Sequence, residues 1–482
     1  MDALAFEHHL TSPQGEGHVP AGACSVTSVG GVCGDTVTFS IATDGVSVTE
    51  AGFSADGCGA THAAGSAAVT LVRGLSLLDA ARITPAAIAA ELGGLSAAKF
   101  HAADVAAEAL ARCLGATVRE HGTLPEPEDG TRTLVAMSGG VDSSVVALLA
   151  AREGEAVAVT LELWADPEND AEKSCCSSSA VAQARALAHQ LGLPHFTMDL
   201  RTEFRAGVVE PFIAAYQAGD TPNPCVGCNG HVRLDAMLEF ADRLGCETLA
   251  TGHYARVERS DSGAPLLRLA ADPAKDQTYM LAALAPESLA RMRFPLGEYE
   301  KPQVREIAAQ AGLPVASKVD SQDLCFLAGT DRGRFLTRHG GVEPRRGDVV
   351  DLTGKVLGSH SGHELFTVGQ RRGVGLAATE PLYVLEKDAD QNRVVVGPRE
   401  QLLTDRVHVR GARLHREGTR VDRVKLRYRS QPLAARISGS APAGRHRELT
   451  LELDQPVAGA APGQLACLMD GELIIGWATI TR

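Results

Sequence analysis

The 482-residue sequence predicts a multidomain chain: an N-terminal α+β scaffold-like head, an α/β parallel-sheet domain, a small central connecting domain and a C-terminal antiparallel β-barrel. Three observations predict this. Strand-like runs followed by Ala-rich helical patterns fill residues 24–114. After the Pro/Glu-rich stretch HGTLPEPEDGTR (121–132), apolar strands alternate with helices. From about residue 340, short strands separated by Gly and Pro replace the helices. A chain this long exceeds a single core. Its 44% hydrophobic and 22% charged residues describe an ordinary globular protein. No run of 18 apolar residues occurs, so no membrane partner is expected. MDALAFEHHL has no apolar signal core, which predicts a cytoplasmic protein. Eleven cysteines in that setting read as thiols, metal ligands or catalysts rather than disulfides.

Each element follows in order. Residues 1–20, polar with Gly and Pro, are expected as a flexible tail. Residues 21–118 form the head, with strands in TVTFSIAT and VSVTEAGFSA and helices in ATHAAGSAAVTLVRGL, TPAAIAAEL and ADVAAEALARCL. Residues 119–131 read as a flexible linker, expected to hold the head near the rest of the chain at about millimolar local concentration. Residues 132–330 carry the near-continuous apolar runs TLVAM, AVAVTLELW and PHFTMDL, the mark of parallel strands buried on both faces. Residues 331–398 form the central domain and 399–482 the barrel. No internal repeat is evident.

Charge is divided along the chain. The net formal charge is −13, yet residues 1–130 hold 15 Asp/Glu against 5 Lys/Arg, and residues 399–448 hold 13 Lys/Arg against 5 Asp/Glu. A basic tail on an acidic protein predicts that one end alone meets a phosphate backbone. The competing reading is a basic surface without a ligand.

LVAMSGGVDSSVVALL is the most specific stretch. Gly139 and Gly140 allow a tight turn and close backbone approach. Ser138, Ser143 and Ser144 supply hydroxyls, and the helix start offers unpaired N–H groups. This is a pyrophosphate cradle without the Gly-Lys-Ser/Thr of a Walker A loop. Asp142 would meet phosphate through Mg²⁺. SGGVDSS resembles the signature of the PP-loop ATP pyrophosphatases, which implies adenylation of a substrate oxygen.

Four further motifs follow TPNPCVGCN (221–229) in order: ATGHYARV, KDQTYML, SQDLCFL and FTVGQRRGVG. Together with the loop they resemble the bacterial tRNA-specific 2-thiouridylase family from about residue 132 to the C-terminus. The resemblance implies an ATP site at Ala136, Met137, Ser138, Gly139, Gly140, Val141, Asp142 and Ser143, at Leu161, where the family usually has Met, and at Gly252. It implies tRNA contacts at His253, Lys275, Asp276, Gln277, Arg427, Tyr428 and Gln464. The target base would meet Asn223, Pro224 and Cys225. Cys228 falls on the nucleophile position and Cys325 on the persulfide-bearing one.

The residue types suit the chemistry. A uridine C2 oxygen is a poor leaving group until ATP adenylates it, and sulfur attacks well as a thiolate or persulfide. A second thiol can then release the sulfur by exchange. The family more often has Asp at position 225. With Cys there, Cys225, Cys228 and Cys325 offer three thiolates to a [4Fe–4S] cluster, with one iron open for hydrosulfide. A redox CxxC pair and a zinc site are the alternatives. Cys246 and Cys467 read as buried small hydrophobes, and Cys175 and Cys176 as secondary thiols.

GVCGDTVTFSI, GFSADGCGATHAAGSAA and KFHAADVAAEAL resemble the NifU-type iron–sulfur scaffold family. Its ligand positions fall on Cys33, Asp35, Cys58 and His101, a set suited to iron or zinc. The third cysteine of that family is replaced by Ala102. Cys24 and Cys113 are candidates to stand in for it, and a degenerate docking module is the competing reading. The whole chain then reads as a tRNA thiotransferase using ATP and Mg²⁺ and supplied by a cysteine desulfurase or a sulfur-relay donor. The alternative is an iron–sulfur assembly or carrier protein with an inert PP-loop half. A small-molecule PP-loop synthetase is disfavoured by the basic tail.

Overall fold

The computed structural model describes residues 3–30, 34–166, 177–259, 263–318, 324–376 and 380–481. Cys33, Cys175 and Cys176 lie outside the described residues. Among the described residues no helix is long and apolar enough to cross a membrane.

The head is a three-stranded antiparallel sheet, β1 (Cys24–Gly30), β2 (Asp35–Thr43) and β3 (Val48–Asp56), covered by helices. Phe39, Ile41 and Phe53 fill the core beneath the Ala-rich helix Gly59–Val72. Small residues let that helix approach closely: a Cβ on Gly65 would stand 2.3 Å from the Phe53 ring. The expected loose tail is instead partly a helix, Ala3–Thr11, packed on Gly59–Val72. His9, buried on that helix, hydrogen-bonds the Ser66 hydroxyl at 2.8 Å and pins it. A single buried polar contact is a signal that composition hides.

The α/β domain has five parallel strands in the order β10–β7–β4–β5–β6: Met292–Arg293, Thr248–Ala250, Arg132–Ala136, Glu155–Glu162 and His195–Asp199. Its edge strand β6 is where the head docks. The 22-residue helix Phe100–His121 crosses it so closely that a Cβ on Gly115 would lie 2.0 Å from the Thr197 carbonyl oxygen. Arg112 pairs with Glu162, and Arg119 pairs with Glu203 and donates to the Asp199 carbonyl at 3.1 Å.

The linker is therefore not a free tether. Its first residues belong to the long helix, and Leu124 is buried with its N–H on the Arg243 carbonyl at 3.0 Å. Arg132 donates to the Pro125 carbonyl at 2.9 Å. The Pro/Glu composition left little to bury, but a neighbouring carbonyl and the Arg132 guanidinium hold the segment through its main chain.

The central domain is a four-stranded sheet in the order β12–β11–β14–β13 (Val356–His360, Gly347–Val350, Arg393–Gly397, Tyr383–Asp388). The C-terminal strands close a six-stranded antiparallel barrel, β15–β18–β17–β16–β19–β20 and back to β15. In chain order these are Leu403–Leu414, Arg423–Lys425, Leu433–Ile437, Gly444–Ala458, Leu465–Asp470 and Leu473–Ile480. Closure removes the exposed edges of a sheet. A hairpin from the α/β domain, β8 (Arg256–Arg259) and β9 (Pro265–Arg268), adds itself to β20, so the barrel and the α/β domain share one sheet.

Candidate active site

The phosphate loop leaves β4 at Ala136. The Met137 N–H bonds the Val159 carbonyl at 2.8 Å, continuing the sheet as the chain turns. Gly139 sits at φ +68°, where a side chain would be strained, and Gly140 precedes the helix Val141–Glu153. The Ser138 N–H donates to Ser143 Oγ at 3.1 Å, and Ser144 Oγ donates to the Gly140 carbonyl at 2.8 Å. Val141 and Leu161 are buried, the latter near the end of β5. Gly252 lies against this turn: its Cβ would be 3.1 Å from the Ser143 nitrogen and 3.2 Å from Asp142.

Two lysines not singled out in the sequence stand at the loop. Lys301 Nζ bonds both Asp142 oxygens at 2.7 and 2.8 Å, and the Tyr254 hydroxyl donates to Asp142 Oδ1 at 3.0 Å. Asp142, expected to act through Mg²⁺, is neutralised by an ammonium here. Lys318 donates to the Gly139 carbonyl at 2.9 Å and to Gln183 at 2.6 Å. Both lysines lie far along the chain in EKPQVREI and ASKVD, where nothing local marks them.

A continuous set of contacts joins this loop to the thiols. His253 follows Gly252 and accepts from Arg233 at 3.2 Å through Nε2. Arg233 can only donate, so the His253 proton sits on Nδ1, facing Thr251 Oγ1 at 2.8 Å. Burial and the Arg233 guanidinium hold this imidazole neutral, lowered to about 3. Arg233 also donates to Asn229 Oδ1 at 2.7 Å, and Asn229 follows Cys228. His253 was expected to touch tRNA, but both of its ring nitrogens are engaged inside the protein.

Pro224 opens a one-turn helix, Pro224–Gly227, and the Asn223 side chain caps it by accepting from the Cys225 N–H at 3.1 Å. Cys225 is half-buried. Cys228 is buried and begins the wider turn Cys228–Arg233. Cys325 opens the short turn Cys325–Leu327 and packs, with Leu324 and Leu327, against the apolar cluster that contains Cys228, Val226 and Phe326. That cluster runs from the head through the α/β domain into the barrel, and the Phe326 ring next to Cys325 packs 5.1 Å from Phe212 and 5.8 Å from Phe204. Cys246 and Cys467 are buried, and burial pushes their thiols up, Cys246 to about 12 and Cys467 further. Neither is poised to react.

The barrel clamps the thiol loop. Gln464 Nε2 donates to the Thr221 carbonyl at 2.7 Å, and the Thr221 N–H donates to the Pro462 carbonyl at 2.9 Å. Tyr279 donates to the Leu465 carbonyl at 2.9 Å and lies 6.5 Å from the Tyr428 ring. The Tyr428 phenol is pushed up, chiefly by burial, in a setting that includes Arg429, Asp276, Lys275 and Cys225. A cleft of about 300 Å³ opens beside it, lined by Thr367–Gln370 of FTVGQ and by Arg427, Ala461 and Gln464.

KDQ divides into separate duties. Lys275 is half-buried. The Gln277 side chain accepts from the Tyr254 N–H at 3.0 Å. The Asp276 carboxylate is buried and takes hydrogen bonds from the Ala270 N–H (2.9 Å), Thr278 Oγ1 (2.8 Å) and Lys425 Nζ (3.1 Å). It bolts this loop to β16 of the barrel.

In the head, the ligand atoms of Asp35, Cys58 and His101 lie within 4.8 Å of one another. His101 Nδ1 bonds the Ala98 carbonyl at 3.0 Å, which leaves Nε2 as the acceptor, buried and without a hydrogen-bond partner. That is the tautomer a metal ligand requires. Burial acts most strongly on the Cys58 thiol and raises it, but hydrogen bonds from Thr61 and Ala60 with the Lys99 charge outweigh it and leave the thiol lowered. The donor set fits iron or zinc. Ala102 is buried in the core, and Cys24 and Cys113 lie elsewhere: Cys113 is buried and donates to the Cys24 carbonyl at 3.3 Å.

Four family models match in chain order: NifU-like N terminal domain at 5–120, tRNA methyl transferase HUP domain at 131–329, tRNA methyl transferase PRC-barrel domain at 333–398 and Aminomethyltransferase beta-barrel domain at 399–480. A Rubrobacter xylanophilus protein named Bifunctional protein NifU/MnmA is 42% identical over 488 residues, covering 98% of this chain and 97% of that protein. A Chloroflexus aggregans protein named tRNA-specific 2-thiouridylase MnmA is 43% identical and covers 72% of this chain and 98% of its own length. One of that name from Zymomonas mobilis is 41% identical, covering 73% and 94%. The chain belongs to the tRNA-specific 2-thiouridylase family, in the bifunctional form that carries a NifU-like head.

Proposed function

We propose that this protein thiolates the wobble uridine of tRNA at C2 at the expense of ATP. The observation that carries the reading is the unbroken run of contacts from the phosphate loop through Gly252, His253, Arg233 and Asn229 to Cys228. Activation and sulfur delivery are thereby linked through packed residues.

In this reading the uridine O2 attacks the α-phosphorus of ATP, and pyrophosphate leaves into the loop Ser138–Ser143; Mg²⁺, held at Asp142, would screen its charge. The terminal sulfur of a Cys325 persulfide then attacks C2, and AMP departs with the original oxygen. The Cys228 thiolate attacks Cys325 Sγ, so the persulfide S–S bond breaks and a Cys228–Cys325 disulfide forms. An external thiol reductant returns that disulfide to two thiols. Arg427, Tyr428 and Gln464 beside the 300 Å³ cleft suit an RNA backbone and a stacked base. The head, loaded at Asp35, Cys58 and His101, would handle sulfur or iron received from a desulfurase or relay donor. A second route rests on the third thiol: Cys225, Cys228 and Cys325 would hold a [4Fe–4S] cluster, which would supply an open iron for hydrosulfide.

Mass spectrometry of tRNA nucleosides, run beside tRNA-dependent AMP release, tests the proposal. Cys228→Ser and Cys325→Ser should each abolish 2-thiouridine. Retained modification in either variant refutes the role given to that cysteine. Absence of tRNA-dependent AMP release from the intact protein favours the assembly-protein alternative. Iron and sulfide counts after anaerobic purification, repeated on Cys225→Ala, separate the two sulfur routes.

A further inference from the structure

A second group of metal-competent side chains lies at the other end of the long head helix. The ligand atoms of Cys24, Glu120 and His121 are all within 4.8 Å of one another. Cys24 Sγ is 3.2 Å from Glu120 Oε2, and His121 Nε2 is 3.7 Å from the same oxygen. Tetrahedral zinc with bonds of roughly 2.1–2.3 Å sets its ligand atoms about 3.4–3.6 Å apart. Two of the three separations are thus close to the spacing that one ion imposes, and the third lies within 4.8 Å.

The fold prepares this arrangement from both sides. Cys24 is buried at the start of β1, and its carbonyl is held by the Cys113 thiol at 3.3 Å. Glu120 and His121 close the helix Phe100–His121. The chain after them is fixed by the Thr123 N–H on the Gly45 carbonyl at 2.9 Å. Unpaired carbonyls give a helix C-terminus a partial negative charge, which favours a cation there. The site is also separate from the first triad. His101 and His121 stand at opposite ends of a helix that rises 1.5 Å per residue, so roughly 30 Å divides them.

We propose that Cys24, Glu120 and His121 bind one divalent transition ion of the zinc class, with a fourth position open to water or to an outside ligand. Thiolate, carboxylate and imidazole together select such an ion over magnesium or calcium. Glu120 and His121 are solvent-facing, so the open position faces outward at the junction between the head and the segment leading to the phosphate loop. This ion would be additional to anything held by Asp35, Cys58 and His101.

The test uses the full-length chain, reduced and stripped by a chelator, then titrated with Co²⁺ and with Zn²⁺ against a chromophoric competitor. Cys24→Ser, Glu120→Gln and His121→Ala should each lose one bound equivalent relative to the parent. Cys24→Ser should also lose one thiolate-to-cobalt charge-transfer contribution. Cys58→Ser should lose a different equivalent, and Cys24→Ser/Cys58→Ser should lose two. Parent-level binding in Cys24→Ser overturns the proposal. So does a loss in Cys24→Ser that neither Glu120→Gln nor His121→Ala reproduces. Because Glu120 and His121 are exposed, their variants decide the matter even if the buried Cys24 substitution disturbs the head.

Discussion

Lys425→Met isolates the bolt between the KDQ loop and the barrel. Lys425 Nζ lies 3.1 Å from Asp276 Oδ1, with side chains only 8% and 4% exposed. Removing the ammonium leaves a buried carboxylate held by only two of its hydrogen bonds, those from Ala270 and Thr278. Breaking a buried pair by deleting one partner costs about 3–5 kcal/mol, because the surviving charge is stranded. Asp276→Asn alone removes the opposite charge and keeps an acceptor for Thr278. The double variant Asp276→Asn/Lys425→Met should therefore recover at least about 2 kcal/mol of the loss. Native-state hydrogen exchange reads this locally, at the amides of Ala270 and Thr278 and along Arg423–Lys425. An opening made easier by 3–5 kcal/mol lowers protection by about 10²- to 4 × 10³-fold. Protection within threefold of the parent in Lys425→Met would refute the reasoning, since it would mean that Asp276 is not stranded when its partner is gone.

Three other outcomes follow from the same coordinates. Lys301→Met leaves Asp142 unneutralised beside the phosphate loop; losing hydrogen bonds to a charged group costs about 1.5–3 kcal/mol, so kcat/KM for ATP in tRNA-dependent AMP release should fall roughly 10- to 100-fold. Gly115→Val drives a side chain into the Thr197 carbonyl, where even a Cβ stands at 2.0 Å; it should destabilise head docking by about 1–3 kcal/mol and expose residues 122–131 to limited proteolysis. His253 is held neutral in the folded state, lowered from 6.5 to about 3, so the unfolded chain takes up a proton first as pH falls. Its effect on stability is absent above pH 6.5 and grows unfavourable from 6.5 toward 3. At pH 5 it amounts to about 1–2 kcal/mol, read as a fall in urea midpoint that His253→Gln should not share.

Much of the fold is written in short-range patterns. Apolar β-branched runs such as AVAVTLEL suit strands buried on both faces, and SGGVDSS after such a run suits a tight turn into a helix. Cys225 and Cys228 were legible for the same reason, because a CxxC directly after two prolines is a local event. What the chain could not disclose locally is who meets whom. Lys301 reads as an ordinary first-turn lysine until the fold brings it to Asp142, and Asp276 reads as a surface charge until Lys425 arrives from the barrel. Glu126, Glu128 and Pro125 suggested a free tether, yet the Arg243 carbonyl and the Arg132 guanidinium, bonding to the main chain of Leu124 and Pro125, pin the segment to the α/β domain.

By itself, then, the sequence determined the local chemistry: a phosphate-cradling turn, two thiol-bearing segments, a head rich in small residues and a basic barrel. Only the tertiary structure decided which buried charges are neutralised, which cysteines share a core and which stand at the far end of a helix. The physical reason is that turns and strand patterns depend on neighbours within a few residues, whereas the cost of burying a charge or a thiol depends on partners that chain closure alone supplies.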